Sequence, residues 1–159
     1  MDIQRLDHLI TEGKIKEAMR IIQYVSKTKD ASYLNILIKH LRLTENKILR
    51  NDIALTLADI GNYAAVEPII EVLNHPKTKG SRGTLLYALE SLDYISHIET
   101  ITSFIGVDSL EASMQSLLLL ENVIDRLSDN EKERCRKMIE LNLKNNNNEM
   151  IEEAIALLK

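Results

Sequence analysis

NDIALTLADIGNYAAVEPIIEVLNHP, Asn51 to Pro76, breaks at Gly61 into two apolar stretches. Val66, Ile69, Ile70 and Leu73 recur at i, i+3, i+4 and i+7, the buried stripe of an amphipathic helix. Ile53, Ala54 and Leu57 put a comparable stripe before the break. Gly61 falls where a left-handed residue ends a helix at little cost, and Asn62 stands beside it. The stretch therefore predicts two helices joined by a short corner.

The pattern repeats at a step of 32 residues in both directions. In the second helix of each pair, Leu34, Val66 and Ile98 align, as do Leu37, Ile69 and Ile101. Ile38, Ile70 and Thr102 follow, then Leu41, Leu73 and Ile105, with Thr102 the one soft match. In the first helices Ile21, Ile53 and Leu85 align, followed by Ile22, Ala54 and Leu86, and by Val25, Leu57 and Leu89. At the third corner Asp93 and Tyr94 replace the Gly–Asn pair, so that turn must differ in detail.

Outside these pairs the register loosens. Ser109 is placed to cap a helix from Leu110 to Leu127, and Ser128 with Glu131 forms a capping box for the next. Asn145–Asn148 reads as a polar interruption before a last helix, EMIEEAIALLK, and DIQRLDHLITEG reads as an opening helix. The predicted units are residues 14–42, 46–74, 80–106 and 109–144, with helices at both ends. A pair this short cannot bury both its faces alone, and stacking on neighbours does so. The expected fold is all-α: a single domain over residues 1–159, a right-handed α-solenoid of stacked antiparallel helix pairs.

Composition agrees. The chain has 159 residues, 45% of them hydrophobic, with 5 Gly, 2 Pro and no Trp, which suits aliphatic helix packing rather than many short strands. A net charge of -4 excludes a uniformly basic nucleic-acid surface. The one cysteine, Cys135, allows no internal disulfide; helical spacing groups it with Met138 and Ile139 as a buried, inert thiol. No apolar run suits a membrane span and MDIQRLDHLI lacks a signal pattern, so a cytoplasmic setting is expected.

With Arg50 before it, the opening stretch resembles a HEAT repeat of the short bacterial type, also called phycobilisome-lyase-like. Arg50, Ala54, Ala58, Gly61, Asn62, Ala65, Val66, Ile69, Ile70 and Leu73 fill the places of that pattern. The unit from Arg82 to Ile105 matches less fully, and Lys14 to Arg42 only in its apolar stripe. The resemblance implies that second helices line a concave face that meets a partner. It also implies an alternative, because some relatives attach bilins or excise damaged bases.

Two surfaces follow. Off the buried stripe, Asn35, Glu67 and Glu99 form one column at the repeat step, and Lys39, Glu71 and Ser103 the next. Together they make a mildly acidic ridge suited to a basic partner patch, the alternative being an ordinary solvated face. Exposed tyrosines also make good interface anchors: Tyr87 lies on a first helix, and Tyr63 and Tyr94 sit at corners, where tyrosines commonly just cover the core. The other surface is the loop from Lys77 to Gly83, where Lys77, Lys79 and Arg82 could grip an anion. It lacks the preceding strand and the Lys after the last Gly that a P-loop needs, and Arg82 lies one step after Arg50, so an inter-repeat corner explains its position.

His8, His40, His75 and His97 are dispersed, so neither a metal nor another cofactor is expected, and no nucleophile–base arrangement appears. The expectation is a non-catalytic module that binds a protein of unknown identity, with no membrane partner and a homo-oligomer open through the end helix. The competing expectations are a lyase-like or base-excising enzyme, or nucleic-acid binding through the Lys77–Arg82 loop. The acidic ridge and the absence of Trp weigh against base excision.

Overall fold

A computed structural model describes residues 2–143 and 149–159; the Asn145–Asn148 interruption lies outside them. Among the described residues every regular element is a helix. In chain order these are α1 (Ile3–Thr11), α2 (Ile15–Thr28), α3 (Leu34–Leu43), α4 (Lys47–Ile60), α5 (Val66–Asn74), α6 (Gly83–Leu89), α7 (Ile98–Thr102), α8 (Leu110–Val123), α9 (Asp129–Leu143) and α10 (Glu149–Leu157). No described helix is long and apolar enough to cross a membrane.

The helices fall into two compact units, Met1–Thr78 and Lys79–Lys159. In the first, α1 packs on α2 and α3, α2 runs against α4, and α3 touches both α4 and α5. In the second, α6 packs on α8, α7 on α8 and α9, and α10 on α8 and α9. The stripe positions supply the cores. Leu37, Leu41, Leu57, Ile69 and Leu73 are 0% exposed in the first unit, as are Leu85, Leu89, Ile101 and Ile105 in the second. Leu34 alone among the aligned positions is only half-buried.

The 32-residue step is also written into the backbone. Short 3-10 turns begin at Ala31, Tyr63 and Ile95, and each runs directly into the following helix at Leu34, Val66 and Ile98. Asp30 and Asn62 open the first two turns alike. Their side chains accept from the Ser32 N–H at 3.0 Å and the Ala64 N–H at 2.9 Å. The residues just before them end the preceding helices in the left-handed region, Lys29 at φ 55° and Gly61 at φ 75°.

Other ends follow their sequence signals. Asn46 caps α4 by accepting from the Ile48 and Leu49 N–H groups, and Ser109 caps α8 by accepting from Ala112. The Ser128–Glu131 box closes in both directions at 3.2 Å. α7 ends well short of the expected residue 106. The Thr102 hydroxyl donates to the Glu99 carbonyl at 2.9 Å and the Ser103 hydroxyl to that of Thr100 at 2.5 Å, offering the backbone partners that end the helix early. Asn142 of α9 then donates to the Ser103 and Ile105 carbonyls, both at 3.0 Å.

Candidate functional site

The second-helix columns divide between the units. Asn35 and Lys39 on α3 and Glu67 and Glu71 on α5 belong to the first, and all four are exposed. Glu99 and Ser103, on and just after α7, belong to the second and are half-buried. Most of the charged members already hold intramolecular partners. Arg42 of α3 forks onto Glu71 with Nε–Oε2 at 2.8 Å and Nη2–Oε1 at 3.0 Å, the bidentate geometry favoured by guanidinium and carboxylate. These bonds hold the Glu71 carboxyl below its ordinary range and raise the Arg42 guanidinium.

Lys39 pairs with Asp7 of α1 at 2.9 Å, and the Asp7 carboxylate also meets His40 Nε2 at 2.7 Å. The hydrogen bond from Lys39, then that from His40, lowers the Asp7 pKa. In the second unit Glu99 pairs with Arg134 of α9, whose guanidinium is raised by that bond. These links join each second helix to its neighbour within a unit: α1 to α3, α3 to α5, and α7 to α9. The Ser26 hydroxyl donates to Asp59 between α2 and α4 in the same manner. The side chains stand roughly half in solvent, so the ion pairs add little to stability, and their main effect is to occupy the charges of the second helices. Reading single columns misses these pairs. Their signal is opposite charge about one step apart, as in Asp7–Lys39 at a separation of 32 and Glu99–Arg134 at 35.

The basic loop is also occupied. Lys77, in the first unit, has only 12% of its side chain exposed; Nζ donates to the Arg42 carbonyl at 2.7 Å, and Glu45 Oε1 lies 3.8 Å away. The C-terminus of α3 thus receives a cation at its negative end. Arg50 serves the same end, with Nη2 donating to the Thr44 carbonyl at 3.1 Å. Arg50 is 1% exposed, its Nε and Nη1 have no hydrogen-bond partner, and burial lowers its pKa. Thr78 closes α5 by donating from Oγ1 to the Val72 carbonyl at 2.8 Å and the His75 carbonyl at 2.9 Å.

Lys79 and Arg82 belong to the second unit. Lys79 is exposed. Arg82 lies 3.4 Å from Asp108 Oδ1 and stacks over Phe104 at 5.0 Å from the ring centre. The same Asp108 oxygen accepts from the Gly80 N–H at 2.8 Å, so one largely buried carboxylate organises this side of the loop. Gly83 lets α6 start beneath the Glu111 side chain, which a β-carbon there would strike.

The remaining candidates resolve individually. Cys135 is buried and burial pushes its thiol pKa up, away from thiolate chemistry. Among the described residues no cluster of His, Cys, Asp and Glu could hold a metal ion. Tyr63 and Tyr87 are exposed, whereas Tyr94 is buried and its hydroxyl donates to the Leu119 carbonyl at 2.6 Å. Along the final helix Ile151, Ala154 and Leu158 are buried within the second unit, while Ile155 is half-buried. No family model, no curated protein and no solved structure matches the chain.

Proposed function

We propose that the chain is a HEAT-like right-handed α-solenoid of stacked antiparallel helix pairs, a single domain acting as a non-catalytic protein-binding module in the cytoplasm. The observation that carries this reading is the 32-residue step, kept by the buried stripe, the 3-10 turns and the starts of α3, α5 and α7. Contacts between alternate helices support it: α2 with α4 and α3 with α5 in the first unit, α6 with α8 and α7 with α9 in the second. The register also continues in sequence from Arg50 to Arg82 and from Leu57 to Leu89.

The partner-binding residues under this reading are Asn35, Lys39, Glu67, Glu71, Glu99 and Ser103. Because Arg42 and Arg134 already hold Glu71 and Glu99, a partner must offer its own guanidinium or ammonium in exchange. Exchange of one ion pair for another gives salt-sensitive binding rather than great strength. Nucleic-acid binding through the loop gains no such support, since Lys77 and Arg82 are engaged inside their own units.

The test is charge reversal. A protein co-purified with the chain from its native cells should bind E67K/E71K/E99K more weakly by about tenfold or more. Binding that ignores all three reversals removes the partner from this surface.

A further inference from the structure

α8 carries more apolar surface than its own unit uses. Ala112, Leu119, Leu120 and Val123 are buried, yet Leu110 is 67% exposed and Met114 56%. Leu118, half-buried, extends these two at i+4 spacing into a second stripe about 12 Å long on the outer side of the helix. A helix apolar on two sides normally has a neighbour on both.

Beside this stripe, α8 and α10 pack together and leave a groove between them. Met114 and Leu118 form one wall and Met150 the other, Glu121 and Glu153 are exposed lining residues, and among the described residues no cation lines the groove. Gln115 also lines the groove. The core-facing stripe of α10, Ile151, Ala154 and Leu158, is already spent inside the unit, so the groove is not the place where α10 docks.

We propose that this groove binds the apolar face of a basic amphipathic helix. Flexible methionine walls accept varied aliphatic side chains. The Glu121 and Glu153 carboxylates select lysine or arginine on the incoming helix. A trough between two packed helices matches a third helix laid along it, with anchors at i, i+4 and i+8. The inference rests on the protein-binding reading but uses a different surface from the second-helix columns.

The experiment measures fluorescence anisotropy of a labelled leucine–lysine peptide whose leucines fall on one helical face, beside a scrambled peptide of the same composition. The proposal expects saturable binding of the first, with the scrambled peptide weaker by about tenfold or more. E121K/E153K and, separately, Met114→Glu should each weaken it by about tenfold, at positions exposed enough to leave thermal melts unchanged. E67K/E71K should bind the peptide as the wild type does. Equal binding of the two peptides, or no loss in either groove variant, overturns the proposal. Loss in E67K/E71K alone overturns the groove while supporting the second-helix reading. A concentration-dependent dimer in sedimentation that Met114→Glu abolishes assigns the groove to a second copy and overturns the proposal as well.

Discussion

The corner after α4 and the corner after α6 stand one repeat step apart and are built from different chemistry. After α4, Gly61 turns left-handed, donates its N–H to the Leu57 carbonyl at 3.1 Å, and hands the chain to Asn62, whose side chain caps the 3-10 turn. α6 instead stops at Leu89, four residues early, and Asp93 and Tyr94 make no such turn. Tyr94 goes inside, 4% exposed, and bonds the Leu119 carbonyl from across its unit. The next 3-10 turn still begins on the step, at Ile95. The register therefore belongs to the buried stripe, and a corner can exchange a local cap for a long-range anchor without moving the helix that follows.

Equal burial at the stripe predicts an equal cost of truncation at the two corners' stripe residues. Leu57→Ala and Leu89→Ala remove equivalent, fully buried side chains and should each destabilise by about 3 kcal/mol in denaturant melts. A cost below about 1 kcal/mol at either position would mean that the two stripes do not carry equal weight.

The corners themselves should then respond in opposite ways. Tyr94→Phe leaves the Leu119 carbonyl without this donor and should cost about 1–2 kcal/mol, while Tyr63→Phe, on an exposed ring, should cost almost nothing. Burial raises the Tyr94 pKa from the ordinary 10.0 to about 12, so an alkaline spectrophotometric titration should show a tyrosine that ionises late, and Tyr94→Phe should remove that late step. Gly61→Ala forces a β-carbon into the left-handed region and should cost about 1 kcal/mol. Lys29→Gly, at φ 55°, should stabilise by a similar or smaller amount, and Asp93→Gly should gain nothing because Asp93 has no positive φ.

The ion pairs are the smallest effect. Glu71 and Asp7 have lowered pKa values in the folded protein, against ordinary values of 4.5 and 3.8. Their contribution is full above those ordinary values and is lost as pH falls through the lowered ones. Both carboxylates are more than a third exposed, so each accounts for less than about 1 kcal/mol. E71Q should lose less stability than the wild type when pH is taken from about 6 to about 3, and the difference should shrink in high salt.

Much of this was legible in the sequence. Each aligned stripe residue except the half-buried Leu34 is buried, because one apolar pattern determines both helix phase and core face. Gly61, Ser109 and the Ser128–Glu131 box were readable because capping is local chemistry. The role of Tyr94 was not, since its partner lies 25 residues away and a corner tyrosine carries no local sign of turning inward. The division into compact units at Thr78 has no break in the repeat register to mark it. The charged second-helix residues were legible but their ion pairs were not, because the partners of Glu71, Glu99 and Lys39 sit on other helices. Lys77 and Arg82 read as available cations for the same reason: a helix C-terminus and a buried carboxylate are visible only once the chain is folded.

Excision of one repeat step tests the account most directly. Deleting residues 34–65 joins Tyr33 to Val66, so that a 3-10 turn again runs into a second helix and Ile69 and Leu73 fall where Leu37 and Leu41 stood. A shorter deletion, residues 36–61, breaks that register. The 32-residue step predicts a cooperative thermal transition and an undiminished helical signal per residue for the in-register deletion, and loss of cooperativity for the other. Equal collapse of both shortened chains would contradict it.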